Sequence, residues 1–170
     1  MIGTMPDIHP FRDGLPPVVA PDTRLLILGS LPGEASLAAA EYYAHPRNAF
    51  WTIMAALTGE DLVALPYAER LTALLAHRVG LWDVVGRARR RGSLDTHLRE
   101  VSANPLADLI ASLPALEAVA FNGATAARLG QPLLPAELAR YALPSTSPAH
   151  TMKLDAKLAA WRVLAPHIGR

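Results

Sequence analysis

The feature that most constrains the fold is a run of residues that is apolar almost throughout. Residues 24–30 read R-L-L-I-L-G-S, with no alternation of polar and apolar positions. A strand of this kind is typical of a parallel sheet that is covered on both faces. Further strand patterns occur at residues 80–85, 116–121 and 140–143.

Helical spacing of apolar residues separates these strand patterns. It predicts helices at residues 48–58, 67–77, 104–113, 124–129 and 151–167. Because strands that alternate with helices form parallel sheets between helical layers, we predict an α/β protein. The expected architecture is a single three-layer α/β/α domain with a central, mainly parallel four-stranded sheet.

The domain organisation is simple. A chain of 170 residues is the size of one domain and can bury a core. Residues 1–22 are rich in proline and show little periodicity, so we expect an extended N-terminal lead-in that packs over a sheet edge. Residues 23–170 contain no repeat or linker and are expected to form the domain, as a monomer.

The composition limits the possible sites. The chain has no cysteine, which excludes disulfides and cysteine-ligated iron–sulfur clusters. Its histidines show no paired metal-binding spacing, and we expect neither a metal nor a cofactor. No apolar run approaches the roughly 20 residues of a membrane span, and residues 1–21 lack a leader pattern, so we expect a cytoplasmic protein without a membrane partner.

Common phosphate and hydrolase motifs are missing. The sequence has no G-x-x-x-x-G-K-[ST], no G-x-G-x-x-G and no G-x-S-x-G pattern. The formal net charge of +1 does not by itself indicate a nucleic-acid partner. Such an argument depends on the one concentrated basic run, at residues 86–92, which reads G-R-A-R-R-R-G and is expected to be a loop.

Polar segments follow each predicted strand. They are residues 29–33, Asp83 with the arginines after it, Asn122 with Gly123, and residues 145–147. The carboxyl ends of parallel strands meet at one edge of a sheet, so we expect four loops to form one site there. Their amide, hydroxyl, imidazole and aromatic groups can hold a planar heterocycle and position a water molecule.

Two blocks of the first polar segment carry a specific resemblance. Residues 29–33 read G-S-L-P-G, and residues 42–51 read Y-Y-A-H-P-R-N-A-F-W. Further similar blocks occur in order at residues 80–84, 92–95, 121–123 and 143–148. Together these motifs resemble the uracil-DNA glycosylase superfamily, and within it the DNA-deoxyinosine (hypoxanthine-DNA) glycosylase branch.

This resemblance implies a monofunctional DNA glycosylase. Its partner would be DNA containing a deaminated base, with hypoxanthine as the favoured base, which the enzyme flips out before a positioned water hydrolyses the N-glycosidic bond. Leu31 occupies the position at which mismatch-specific uracil glycosylases carry a water-positioning Asn, so the resemblance assigns the catalytic water to Asn48. No lysine falls in a site loop, and we therefore expect no Schiff base. Asn48 could instead cap the helix that follows it.

The resemblance also assigns residues to the base and to the DNA backbone. The base-binding candidates are Ser30, Leu31, Gly33, Tyr43, His45 and Asn122. Tyr43 would stack on the base, or would pack its own loop; His45 could hold its loop, and Asn122 could only form a turn. The DNA-binding candidates are Arg87, Arg89, Arg90, Arg91, Ser145, Thr146, Ser147 and His150. The arginines could equally form a solvated loop.

Three other functions stay open at this stage. The base could be uracil or xanthine rather than hypoxanthine. The chain could be a non-catalytic module that binds DNA or a nucleotide in the same crevice. It could also hydrolyse free nucleosides, which would not require the arginines.

Overall fold

The central sheet of the protein is parallel throughout. The computed structural model describes residues 9–169. The strands in this part of the chain are β1 (Phe11–Asp13), β2 (Leu25–Gly29), β3 (Val79–Asp83), β4 (Val85–Arg90), β5 (Leu98–Ala103), β6 (Ala118–Asn122) and β7 (Ala139–Leu143). The central sheet has the order β3-β2-β6-β7, and each neighbouring pair of strands is parallel. The predicted four-stranded parallel sheet is confirmed.

Helices cover both faces of this sheet. They are α1 (Glu34–Ala39), α2 (Phe50–Thr58), α3 (Tyr67–Ala76), α4 (Leu106–Ala111), α5 (Ala124–Gly130) and α6 (Leu154–Trp161). The predicted helix at residues 151–167 is shorter than expected, because after α6 the chain tightens into a 3-10 segment, Arg162–His167, that contains Pro166. Between residues 9 and 169, no helix is long and apolar enough to cross a membrane.

The alternation of side chains along β2 divides the core into two layers. Leu25 and Ile27 pack on one face, in a buried cluster with residues of α2, α3 and α6. Leu26 and Leu28 point to the opposite face and pack in a second cluster with residues of α4 and α5. All four side chains are fully buried, which explains why the strand is apolar at successive positions.

The basic run at residues 86–92 is not the loop that the sequence predicts. Most of it belongs to β4, the central strand of a second, antiparallel sheet with the order β1-β4-β5. Val85 and Ala88 are fully buried and pack against Leu31, while Arg87 is exposed. The sequence pattern does not indicate this strand, because arginine, a residue that is usually exposed to solvent, occupies both exposed and buried positions in it.

The lead-in contacts the edge strand β3. Residues 1–8 of the predicted lead-in lie outside the described residues. Within the rest, β1 pairs with β4, and Val18 forms an antiparallel bridge with Leu81 of β3. The main-chain carbonyl of Pro16 accepts the Tyr42 hydroxyl at 2.7 Å, so this segment also holds one wall of the site loop.

The contact between α5 and the central sheet leaves no room for a side chain at Gly130. The Cβ of an alanine there would lie 2.8 Å from Val84 Cγ2 and closer still to the Phe121 ring. Gly→Ala in a helix normally stabilises by about 0.5–1 kcal/mol, but overpacking costs about 1–3 kcal/mol. We therefore expect Gly130→Ala to lower the free energy of unfolding by about 1–2 kcal/mol in urea titrations.

A double-mutant cycle supplies the control for this prediction. Phe121→Leu removes the ring that the new methyl group would meet. In that background Gly130→Ala should cost less than in the wild type. An equal cost in both backgrounds would mean that the contact with Phe121 does not limit packing.

Candidate active site

A cleft of about 710 Å³ opens at the carboxyl ends of the central strands. This volume is in the range of small-molecule sites. The cleft is lined by Gly29, Ser30, Leu31, Pro32, Gly33, Ala35, Ser36, Tyr42, Tyr43, His45, Arg47, Asn48, Asp83, Ser93, Leu94, Asp95, Thr96, Asn122, Ser145, Thr146, Ser147, Pro148, Ala149 and His150. All six base-binding candidates are among these residues, together with Asn48.

Asn48 stands just before α2 and is half-buried. Its side-chain oxygen accepts the N–H of Phe50 at 3.0 Å, a local bond of the kind that orders the start of a helix. That oxygen retains a second lone pair, and no group within residues 9–169 accepts a hydrogen bond from the amide nitrogen. The helix-start contact and the capacity to hold a water are therefore compatible.

The loop that carries Asn48 is held from two sides. His45 Nδ1 accepts the N–H of Arg47 at 3.1 Å, so this imidazole supports its own loop. The N–H of Ala49 donates to the carbonyl of Thr146 at 3.0 Å, which ties the loop to the segment after β7. The position of Asn48 thus depends on a contact within its own loop and on one with a distant part of the sequence.

Tyr43 combines a stacked ring with an isolated hydroxyl. The ring stacks on Phe50, with 4.0 Å between centroids and 23° between planes, and the residue has a left-handed φ of 56°. Its hydroxyl oxygen is buried without a hydrogen-bond partner of good geometry among the described residues. Burial and the nearby Asp83 raise the pKa of the Tyr43 phenol, so it stays neutral.

Asn122 and Thr146 bind each other. The amide nitrogen of Asn122 donates to the Thr146 hydroxyl, and its oxygen accepts the Thr146 main-chain N–H, both at 2.9 Å. Thr146 is 1% exposed, so it supports the floor of the cleft and is not available for the predicted phosphate contact. The Asn122 amide also lies beside the Tyr43 hydroxyl, where it opposes the rise of the Tyr43 pKa that burial causes.

Two carboxyl groups in the cleft, those of the half-buried Asp95 and the buried Asp83, were not among the sequence candidates. Asp95 accepts the Ser30 hydroxyl at 2.6 Å, and burial raises the pKa of its carboxyl. Asp83 is 3% exposed, and its Oδ2 has no hydrogen-bond partner within the described residues. The signal for Asp83 was present, since a carboxylate ends an otherwise apolar strand.

Close packing with Gly29 holds the Asp83 side chain in place. Gly29 pairs with Asp83 in the register of β2 and β3, and a Cβ at Gly29 would lie 2.6 Å from Asp83 Oδ1. Behind the strand, Asn104 Nδ2 donates to the main-chain oxygen of Asp83 at 2.8 Å. Burial, and secondarily Asp95, raise the pKa of Asp83, while Arg90 acts in the opposite direction.

Arg90 lies inside the protein, in place of the phosphate contact that the sequence suggests. Its side chain is 0% exposed. The guanidinium donates to three main-chain carbonyls, at 3.2 Å to Leu31, 2.6 Å to Pro32 and 2.7 Å to Gly92. It therefore joins the second sheet to the G-S-L-P-G segment and fixes the entrance of the cleft.

The other arginines of the basic run differ in how many contacts they make. Arg87 and Arg89 stack on Phe11, and Arg89 donates to Glu100 at 2.8 Å. The Arg91 side chain is exposed and forms no ion pair within the described part of the chain. Beside it is a cationic hollow of about 430 Å³, lined by His9, Arg89, Arg90, Arg91, His97, Arg99 and Glu100.

The segment after β7 offers hydroxyls near the cleft rim. Ser145 Oγ accepts the N–H of Ser147, and Ser147 Oγ accepts that of Ala149. His150 is exposed. No lysine falls in a site loop, yet the ammonium of Lys157 in α6 reaches this segment and donates to the Ser147 carbonyl at 3.1 Å.

Nothing in residues 9–169 resembles a metal centre: no group of three or more His, Asp or Glu side chains could hold an ion there.

Comparisons with known proteins agree with this fold. A family model described as the uracil DNA glycosylase superfamily matches residues 16–165. A hypoxanthine DNA glycosylase from Methanosarcina barkeri is 42% identical over 112 residues, which are 66% of this chain and 71% of that protein. One from Methanosarcina acetivorans is 32% identical over 156 residues, 92% of this chain and 99% of that protein.

A solved structure gives the same result. The solution NMR structure of a candidate uracil DNA glycosylase from Methanosarcina acetivorans has a TM-score of 0.80 and 33% sequence identity, covering 91% of this chain and 98% of that one. The chain belongs to the uracil DNA glycosylase superfamily. The predicted enzyme class, a DNA glycosylase, is confirmed with it.

The buried contacts of Arg90 lead to a stability prediction. Arg90→Gln removes the guanidinium and leaves buried carbonyls without donors, at a cost of about 1–3 kcal/mol. We expect the free energy of unfolding to fall by that amount in denaturant titrations. Arg91→Gln, at the adjacent exposed position, should change it by less than about 0.5 kcal/mol. Equal stability of the two variants would contradict the structural role of Arg90.

Proposed function

We propose that the protein flips a deaminated base, hypoxanthine in particular, out of DNA and hydrolyses its N-glycosidic bond. The observation that carries this proposal is the position of Asn48 in the cleft, with an amide nitrogen that no described residue uses. The two relatives named hypoxanthine DNA glycosylase support the choice of base. Deaminated bases pair poorly, so their extrusion from the helix costs less than that of normal bases.

The reaction is a hydrolysis with a neutral amide beside the water. The bond between the sugar C1′ and the base nitrogen breaks, and its electron pair leaves with the base. The water oxygen then bonds to C1′, and one water proton ends on the departed base. An amide cannot deprotonate water strongly, which suits a reaction in which the base departs first and leaves an oxocarbenium-like sugar.

In this proposal, Asn48 holds the water through both ends of its amide. The free N–H can donate to the water oxygen, and the second lone pair of Oδ1 can accept a water proton. The contact of Oδ1 with Phe50 keeps the amide oriented. No covalent bond to the enzyme is involved: Lys157 is held at the Ser147 carbonyl, and the mechanism is monofunctional.

The extruded base is proposed to stack on Tyr43. Phe50 supports the ring from one side, so stacking would build on an ordered aromatic pair. The Asn122 amide, the Ser30 hydroxyl and the main chain at Leu31 and Gly33 line the same cleft and are proposed to face the base edge. His45 is proposed to contribute by ordering the loop that carries Asn48, through its bond with the Arg47 N–H.

The DNA backbone is proposed to cross the rim of the cleft. Ser145, Ser147 and His150 line that rim, and residues 93–96 connect it to the cationic hollow beside Arg91. Arg91 would then be the main phosphate contact of the basic run, with weaker contributions from Arg87 and Arg89. The enzyme is proposed to act as a cytoplasmic monomer.

A panel of oligonucleotides tests the substrate. Duplexes that carry one inosine, uracil or xanthine are incubated with the protein, and abasic sites are then cleaved with alkali and separated on a gel. We expect strand cleavage with inosine. Cleavage with uracil or xanthine alone would change the substrate assignment, and none with any base would remove the proposed activity.

Asn48→Ala is the catalytic variant in the same assay. Because this variant cannot hold the water, we expect the rate of single-turnover excision to fall by about 10²-fold or more. Asn48→Asp is a matched variant that retains the helix-start acceptor for the Phe50 N–H. Full activity of Asn48→Ala would overturn the assignment of the water to Asn48.

The phosphate contact of Arg91 is tested by the salt dependence of DNA binding. Loss of one phosphate contact should reduce the slope of log K against log salt by about 0.9. We expect this change for Arg91→Gln. Arg128→Gln removes the same charge from an exposed position of α5, which does not line the cleft, and should leave the slope near that of the wild type. The same slope change in both variants would indicate a general charge effect instead of a contact at Arg91.

A further inference from the structure

One arginine stands among the described residues that line the cleft, and no lysine does. It is Arg47, which lies between His45 and Asn48 in the H-P-R-N segment and is exposed. Its main-chain N–H donates to His45 Nδ1, but its guanidinium forms no hydrogen bond or ion pair within residues 9–169. The cleft therefore has a fixed positive charge whose side-chain donors are available to a ligand.

Arg47 is held close to two serines that follow β7. The N–H of Ala49 donates to the carbonyl of Thr146 at 3.0 Å, so the loop of Arg47 touches the main chain between Ser145 and Ser147. Consecutive Cα atoms are about 3.8 Å apart, and Arg47 is two residues from Ala49. The guanidinium and both serines therefore belong to the same stretch of the cleft rim.

The hydroxyls of these serines have protons to donate. Ser145 Oγ accepts the N–H of Ser147, and Ser147 Oγ accepts that of Ala149, so both oxygens already serve as acceptors. Neither hydroxyl donates to a group in the described part of the chain. A hydroxyl has one O–H donor that rotates to suit its partner. The rim thus has two hydroxyl donors beside the guanidinium.

A buried cation lies beneath the same segment. The ammonium of Lys157 in α6 donates to the Ser147 carbonyl at 3.1 Å and forms no ion pair with a carboxylate among residues 9–169. Trp161 Nε1 donates to the Pro144 carbonyl at 2.9 Å, so α6 holds the segment at two points. Because the charge of Lys157 is not neutralised by an acid, it makes the rim more favourable for an anion.

We propose that Arg47 binds a DNA phosphate that flanks the extruded nucleotide, together with the hydroxyls of Ser145 and Ser147. This inference rests on the proposed function and adds a DNA contact outside the basic run, at a residue that was not a sequence candidate. A guanidinium donates two parallel N–H groups to two phosphate oxygens, and hydroxyls can satisfy the remaining lone pairs. The ligand chemistry is a phosphodiester.

This contact distinguishes DNA from a free nucleoside, which has no phosphate. The phosphodiester takes no part in breaking the glycosidic bond, so Arg47 binds it equally well in the bound substrate and in the transition state. Uniform binding of this kind strengthens the complex without changing the rate of the bound substrate. Removal of the guanidinium therefore weakens DNA binding and leaves the chemical step intact.

A double-mutant cycle between protein and DNA tests the contact. Duplexes carry inosine, or whichever base of the panel is excised, with a neutral methylphosphonate in place of the phosphate on its 5′ or 3′ side. Wild type, Arg47→Gln and Arg47→Lys are compared in duplex binding by fluorescence anisotropy and in single-turnover excision at increasing protein concentration. Arg128→Gln removes the same charge at an exposed position of α5 that does not line the cleft, and is the matched control.

We expect Arg47→Gln to raise the half-saturating protein concentration by about ten- to hundredfold, the effect of losing one charge-assisted contact. The excision rate at saturation should stay within about threefold of the wild type. Arg47→Lys keeps the charge without the paired donors and should lose less affinity than Arg47→Gln. Arg128→Gln should bind like the wild type, and free hypoxanthine, which has no phosphate, should bind equally to all four proteins in calorimetry.

The methylphosphonates identify the partner of Arg47. At the contacted phosphate, the neutral group should weaken wild-type binding by a factor similar to that of Arg47→Gln, and should weaken Arg47→Gln little further. The other methylphosphonate should affect both proteins equally. If both substitutions weaken Arg47→Gln as much as the wild type, Arg47 contacts neither phosphate. A lower rate at saturation with unchanged affinity would show that Arg47 only orders the loop of Asn48, and would also overturn the proposal.

The outcomes separate this contact from the proposed function. A wild type that binds the duplex through Arg47 but excises no base of the panel would overturn the proposed function and leave the phosphate contact in place. A wild type that excises a base with no dependence on Arg47 would overturn the contact alone. A wild type that does not bind DNA would overturn both.

Discussion

The parallel pairing of β2 with β3 on one side and β6 on the other is the constraint on which the rest of the structure depends. A strand in this position is buried on both faces, so it must be apolar and helices must cover both sides. Parallel strands also end at the same edge. Gly29, Asp83 and Asn122 are therefore neighbours, although long stretches of sequence separate them.

The second sheet completes the cleft that the first sheet begins. Arg90 crosses from β4 to the carbonyls of Leu31 and Pro32 and, together with the hydrogen bond between Ser30 and Asp95, fixes this segment. A fully buried cation in such contacts also affects the nearby carboxyls, since it lowers the pKa values of Asp83 and Asp95 against the effect of burial. Two opposing effects, burial and a nearby cation, therefore act on the acidic groups of the site.

Much of this organisation is predictable from the sequence, because it follows from local patterns. The apolar run at β2 indicates a parallel sheet, and the polar residues after each strand indicate the edge where the site forms. Asn48, Tyr43 and Asn122 could be named as candidates because their motif blocks resemble a known superfamily. The prediction of a loop for the basic run was wrong; Arg90 and Arg91 are the same residue type, and only burial distinguishes a structural arginine from a free one.

The sequence by itself determined the class of fold and the family, since hydrophobic periodicity and motif order are properties of the chain. Only the tertiary structure decided which polar groups are engaged and which are free. Thr146 is held by Asn122, Ser30 by Asp95 and Arg90 by carbonyls, while Asp83 and Tyr43 keep unpaired atoms at the floor of the cleft. The physical reason is that a hydrogen-bond partner and a burial depth depend on contacts between distant segments, which no local pattern records.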